Sequence, residues 1–174
     1  MIDSHIDGLV ADIGCGPGLF LKPLIPPVKV IGVDLSEEML LLARKNFISP
    51  VQGNCYQLPL KSLSCHLVTC IGVLQCFEDP APVIKELSRI THSKGSIIIV
   101  THNAHSVIRK LAPRKGFKHL ISKELIEKWF DSEGFHVILL YGIHYPSLKP
   151  RKINRFTQFH NMFCTTLIWR FQKN

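Results

Sequence analysis

Short apolar runs and amphipathic stretches alternate along this chain. The apolar runs fall at 9–13, 28–33, 67–71, 96–101, 136–141 and 165–171. Most are continuous rather than strictly alternating, the pattern of strands covered on both faces. Helical patterns lie between them. SEEMLLLARKN offers Ser36 as N-cap, Glu37 and Glu38 in the first turn, and Arg44 and Lys45 near its end, each charge matched to the helix dipole. DPAPVIKELSRITHSKG sets Val83, Ile84, Leu87 and Ile90 on one face and is expected to stop before Gly95. SKELIEKWFDSEG starts at Ser122 and stops at Gly134. This alternation predicts an α/β fold, an open and mostly parallel sheet with helices on both faces. Ligands of such sheets bind beyond the carboxyl ends of the strands, so the first strand-to-helix turn is the place to look.

Composition narrows the setting. A chain of 174 residues is expected to form a single domain over 1–174. The longest nearly apolar run, 67–77, is broken by Thr69, Gly72 and Gln75 and falls short of the roughly 20 residues that span a bilayer. The N-terminal MIDSHIDGLV carries acids where a secretory signal carries lysines, so a soluble, cytoplasmic protein is expected. Six cysteines make no CxxC pair and no zinc spacing with histidine; they read as free thiols, and no metal site is expected. The net charge of +8 is uneven: up to His102 there are 8 basic and 9 acidic residues, and from Asn103 onward 13 and 4. A basic second half suits an anionic partner (a charged substrate, nucleic acid or an acidic lipid surface) or serves solubility alone.

The turn after the first apolar run reads Asp12-Ile13-Gly14-Cys15-Gly16-Pro17-Gly18. Glycine permits positive φ and close approach of backbone to a ligand. A dinucleotide fingerprint requires G-x-G-x-x-G, and its third glycine would fall on Leu19, so the spacing is wrong for NAD or FAD. Pro17 suits a tight turn leading into a helix. Asp12 just before the loop would repel a pyrophosphate and welcome an ammonium. The second apolar run ends in VIGVDLSEEML, with Asp34 placed 20 residues beyond Gly14, where a carboxylate accepts both hydroxyls of a ribose. The ligand so described has an amino group at one end and a ribose at the other.

VADIGCGPGLF, VIGVDLSEEML, GNCYQLPL and CHLVTCIGVLQCFEDP, in this order, resemble the class I S-adenosylmethionine-dependent methyltransferases, in particular the small-molecule enzymes of the ubiquinone/menaquinone-biosynthesis type. The resemblance covers residues 8–143 well and the rest loosely. It implies a Rossmann-like three-layer sandwich with a mostly parallel, seven-stranded sheet. It also implies S-adenosylmethionine as cofactor and S-adenosylhomocysteine as product. On this likeness Gly14, Gly16 and Gly18, with Cys15 between them, line the methionine half, and Asp12 lies near its amino group. Asp34 meets the ribose. Leu35 and Met39 lie beside the adenine, or else pack in the core. Asn54 stands where the family commonly has Asp, Cys55 offers its backbone N–H to the ring, and Cys70 and Ile71 border the methyl-transfer site.

The sequence departs from that family at several points. His66 replaces an acid before the fourth strand's run. LQCF replaces a frequent Leu-His-His, and Gln75 there can hydrogen-bond a substrate but is a poor base. The chain begins about seven residues before the first strand, whereas members of the family carry an N-terminal helical segment over the cofactor. An unusually open site, or a shortened chain whose lid lies elsewhere, is expected. A sulfonium methyl is already activated, so a base is needed only where the acceptor must lose a proton. His102, His105, His144 and Tyr145 are the candidates, with loop histidines bonded to backbone or water as the alternative. The segment 145–163 mixes basic residues with Phe156, Phe159, Met162 and Phe163 and is expected to help form the acceptor pocket or to touch a lipid surface. The leading expectation is a methyltransferase acting on a small molecule. A cofactor-binding partner module and an RNA or protein methyltransferase are the rivals.

Overall fold

The computed structural model describes residues 8–21, 29–46, 48–111, 119–147 and 149–174. The helix expected to follow Pro17 and the acidic N-terminus fall largely outside them. Eight strands form one sheet in the order β3-β2-β1-β4-β5-β8-β6-β7. β1 (Leu9–Ile13), β2 (Val30–Asp34), β3 (Ser49–Gln52), β4 (Cys65–Ile71) and β5 (Thr91–His102) run parallel. β8 (Cys164–Lys173) is antiparallel to both β5 and β6 (Phe135–His144), so β6 shares the direction of β5. The expected α/β class holds. The strand count rises from seven to eight because β7 (Pro150–Lys152), three exposed residues antiparallel to β6, adds an edge inside the segment read as acceptor-binding.

Two apolar layers sandwich the sheet. Side chains alternate between them: Ala11 and Ile13 join one core while Val10 joins the other, and Ile97 and Ile99 oppose Ile98 in the same way. The larger core receives α2 (Ala81–Ile90) and α4 (Lys123–Ser132), with Phe130, Phe135, Trp169 and Phe171 fully buried. The smaller one receives Leu40 and Ala43 of α1 (Glu37–Lys45). Ser36 and Ser122 cap α1 and α4 through their hydroxyls, which accept the N–H groups of Met39 and Leu125. Two short helices, α3 (Val107–Leu111) and α5 (Gln158–Phe163), lie against each other beyond the carboxyl ends of the strands. Among the described residues no helix is long and apolar enough to cross a membrane.

α2 ends at Ile90, five residues short of Gly95. Thr91 turns to extended backbone, its hydroxyl donates to the Leu87 carbonyl, and the chain pairs at once with Cys65 of β4. Pairing with a buried neighbour outweighs the weak helical preference of THSK.

The connection from β3 to β4 is clamped to α2 by Arg89. Its guanidinium donates to Glu86, to the carbonyls of Leu58 and Leu60 and to the Ser62 hydroxyl, while Glu86 also accepts the Leu58 N–H at 2.7 Å. The Arg89 hydrogen bond holds the Glu86 carboxyl below its ordinary range. Arg89→Lys keeps the charge and loses the fork, so it is expected to cost about 2 kcal/mol in urea unfolding at pH 7. Glu86 has a depressed folded pKa, so its contribution is present above the unfolded value of 4.5. It is lost as pH falls through the folded one, and the wild-type advantage over Arg89→Lys narrows in acid.

Candidate functional site

The carboxyl ends of β1, β2, β4, β5 and β6 lie along one edge, and most of the candidates stand there. The glycine loop leaves β1 with Gly14, Gly16 and Gly18 at φ +68°, +51° and +75°, the left-handed region that L side chains avoid. The three are otherwise unlike. A Cβ on Gly14 would stand 2.2 Å from Val73, and one on Gly18 2.7 Å from Ile48, whereas a Cβ on Gly16 would meet nothing within 4 Å. Gly14 and Gly18 are packed. Gly16 opens onto free space, where a ligand can approach bare backbone.

Backbone bonds set the loop's shape. The N–H groups of Gly14 and Cys15 donate to the Val33 carbonyl, and that of Gly18 donates to the Cys15 carbonyl. Asp34 completes it: one carboxylate oxygen accepts the Gly16 N–H at 2.8 Å and the other the Ser36 N–H at 2.9 Å. Asp34 therefore pins the loop while standing at the open end of β2. Beside it Leu35 and Met39 are 70% and 37% exposed, which removes core packing as their role and leaves them as apolar surface at the site. The next loop reaches the same strand end through Gly53, whose N–H donates to the Asp34 carbonyl. There the exposed Asn54 accepts the Tyr56 N–H, and Tyr56 packs edge-to-face on Phe77, bringing this loop against the one after β4. Cys55 is half-buried, and burial pushes its thiol up to about 11.

Asp12 is buried at 2% exposure. It stands opposite Thr69 in the β1–β4 register, and the Thr69 hydroxyl donates to it at 2.6 Å. Among the described residues no cation pairs with it. Burial raises its pKa to about 6, against the lowering effect of the Thr69 hydrogen bond and with a further push from Asp34. Near neutral pH a largely desolvated carboxylate thus waits beside an open glycine loop, an arrangement that suits an ammonium. The sequence reading meets Thr69 only as a polar break in the apolar run of β4, and its pairing with Asp12 escaped it.

Other candidates are placed differently from expectation. Cys70 is fully buried in the larger core, and burial drives its thiol well above the ordinary range, so its side chain packs rather than lining an open site. Gln75 is also buried, at 1% exposure. Its side-chain carbonyl accepts the His102 N–H and its backbone carbonyl the His119 N–H, which ties the loop after β4 to the end of β5 rather than presenting the amide openly. Ile71 is half-buried and precedes Gly72, a further positive-φ turn.

The proposed bases do not form one cluster. His102 ends β5 and His144 ends β6, on opposite sides of β8 and roughly 10 Å apart at two strand spacings. His105 is exposed and lies 3.8 Å from Glu124 at the start of α4. His144 packs beside Phe159 and His160 of α5; burial and the neighbouring His160 lower its pKa and favour the neutral ring. Tyr145 is exposed, and its N–H is bonded to the Phe163 carbonyl.

Comparison with known proteins agrees with this geometry. Residues 11–99 match the methyltransferase domain family. An uncharacterised protein of Methanocaldococcus jannaschii is 32% identical over an alignment of 151 positions that covers 84% of this chain and 63% of that protein. The ubiquinone biosynthesis O-methyltransferase of Coxiella burnetii is 26% identical over 161 residues, 80% of this chain and 68% of that enzyme. The chain thus spans about two thirds of the length of these relatives. Among solved structures, an S-adenosylmethionine-dependent methyltransferase from Thermotoga maritima superposes with a TM-score of 0.79 at 24% identity, covering 97% of this chain and 83% of that one. With the glycine loop, both strand-end carboxylates and the parallel sheet all inside the matched region or bordering it, the chain belongs to the methyltransferase domain family, whose methyl donor is S-adenosylmethionine.

Proposed function

We propose that residues 1–174 act as one domain that binds S-adenosylmethionine at the glycine loop and moves its methyl group to a small-molecule acceptor. The observation that carries this reading is the Asp12 carboxylate, buried at a cost and paired, among the described residues, only with a hydroxyl, at the head of a loop whose glycine spacing is wrong for a dinucleotide. A group kept ionised against desolvation is a functional candidate, because a bound cation recovers what the empty fold gives up. When bound, the cofactor supplies a methyl already activated on a positive sulfur.

The chain's own residues then have limited tasks. Asp12 holds the ammonium, Gly16 lets the backbone come close, and Asp34 accepts the ribose hydroxyls with lone pairs left after Gly16 and Ser36. Leu35 and Met39 cover one face of the adenine. Asn54 and Cys55 address its edge. The protein aligns the acceptor and excludes water, which is the larger part of catalysis for an activated donor.

Isothermal titration is expected to show S-adenosylhomocysteine binding and no heat with NAD. Binding of NAD alone would end the reading. Asp12→Asn keeps an acceptor for Thr69 and removes the charge, so S-adenosylhomocysteine affinity should fall at least about tenfold, or 1.4 kcal/mol. Stability should move the other way. A carboxyl raised from 3.8 to about 6 in the fold imposes no penalty below 3.8 and the full penalty above 6. The variant should therefore exceed wild type by about 3 kcal/mol at pH 7.5 and by little at pH 4, read from urea unfolding.

Asp34→Ala serves as a second test. It leaves the Gly16 and Ser36 N–H groups unpaired and removes the ribose partner, so the free energies of unfolding and of binding should both drop, by about 1–2 kcal/mol each. A loss of stability with unchanged affinity would confine Asp34 to bracing the loop.

A further inference from the structure

A cavity of about 430 Å³ lies between α4, the first half of β6 and the segment that follows β7. Its position follows from the short edge strand. β7 covers only Tyr141, Gly142 and Ile143, so among the described residues β6 below Tyr141 has no strand beyond it, and the register slips between Val137 and Leu139. The floor is apolar, made by Leu140 and Ile153, and Phe156 forms one wall. The polar groups are unequal in charge. Glu127 is already committed, one oxygen accepting the Trp169 indole N–H at 3.0 Å and the other Lys123 at 2.6 Å. Lys123 also sits over the Phe156 ring, 5.5 Å from its centroid. Lys152 on β7 is exposed and forms no ion pair with any described residue. The result is a trough with a narrow apolar floor and one aromatic wall under a mostly polar rim, with a neutralised pair inside and an uncompensated cation at its edge.

We propose that this cavity is a binding site for a small amphipathic anion, its apolar body on Leu140, Ile153 and Phe156 and its carboxylate or sulfonate on Lys152. The volume falls within the range of ligand pockets, about 300–1,000 Å³. A lysine at the rim attracts the head group while the trough removes the body from water. The site is separate from the glycine loop. β6 lies four places from β1 in the sheet, roughly 19 Å at the usual strand spacing, so a small molecule here cannot also occupy the methyl-donor site. The inference stands independently of the methyltransferase reading.

The test uses the whole chain and two probes, 8-anilinonaphthalene-1-sulfonate followed by fluorescence and decanoate as competitor, with and without S-adenosylhomocysteine. The expected result is saturable dye binding that decanoate displaces and S-adenosylhomocysteine does not. Lys152→Glu should weaken it at least tenfold and Lys152→Arg should preserve it. Lys152 is exposed, so circular dichroism should show both variants folded; Phe156→Ala offers an independent loss of the apolar wall. Absence of dye binding, equal affinity in Lys152→Glu, or displacement by S-adenosylhomocysteine would each overturn the proposal, the last by placing the dye at the glycine loop.

Discussion

A carboxylate at the end of β2 accepts backbone N–H groups from two different segments, Gly16 in the loop after β1 and Ser36 at the entrance to α1. Much of the site depends on this pin. A glycine loop has many conformations open to it, and each costs little to leave. Charge-assisted bonds to a fixed strand end select one of them. The same contact sets where α1 begins, and so which of its side chains enter the smaller core and which, such as Met39, remain at the edge. The carbonyl of Asp34 also receives the Gly53 N–H, so a third segment is indexed to the same residue.

Asp12 and Asp34 divide the work that acids can do at a strand end. Asp34 is half-buried and satisfied by backbone donors. Asp12 is enclosed, has a hydroxyl for company and remains costly to ionise. The nearby Asp34 charge adds to the cost of ionising Asp12, and a cation placed beside Asp12 would relieve it. The parallel sheet makes the arrangement possible. Parallel strands buried on both faces leave their ends as the main place where polar side chains reach solvent, and the helices on either side wall that edge into a trough.

Features that depend on neighbours in sequence were legible before the fold was known. Ser36 and Ser122 cap helices through a hydroxyl three residues upstream of the donor, and the glycine loop is written in consecutive residues. Features that depend on distant partners were not. Thr69 meets Asp12 from 57 residues away, and nothing near Asp12 announces it. Gln75 and Cys70 read as pocket residues because their positions adjoin the site, but the core closes over them. β3 escaped notice because it is four residues long, contains Pro50 and borrows its order from β2. β5 starts early for the same kind of reason, since Thr91 finds Cys65 waiting across the sheet.

The three glycines of the loop also differ in what descent can do with them. Gly14 and Gly18 are constrained twice, by backbone sign and by neighbouring side chains, so any replacement meets both obstacles. Gly16 is constrained once. Its backbone angle is one that asparagine and aspartate tolerate better than other residues, and no protein atom stands where their Cβ would go. In the unliganded fold such a change meets only the backbone cost of a positive φ, and a ligand lying against this position would add the second obstacle. Drift at that single position would therefore record whether a lineage still uses its ligand.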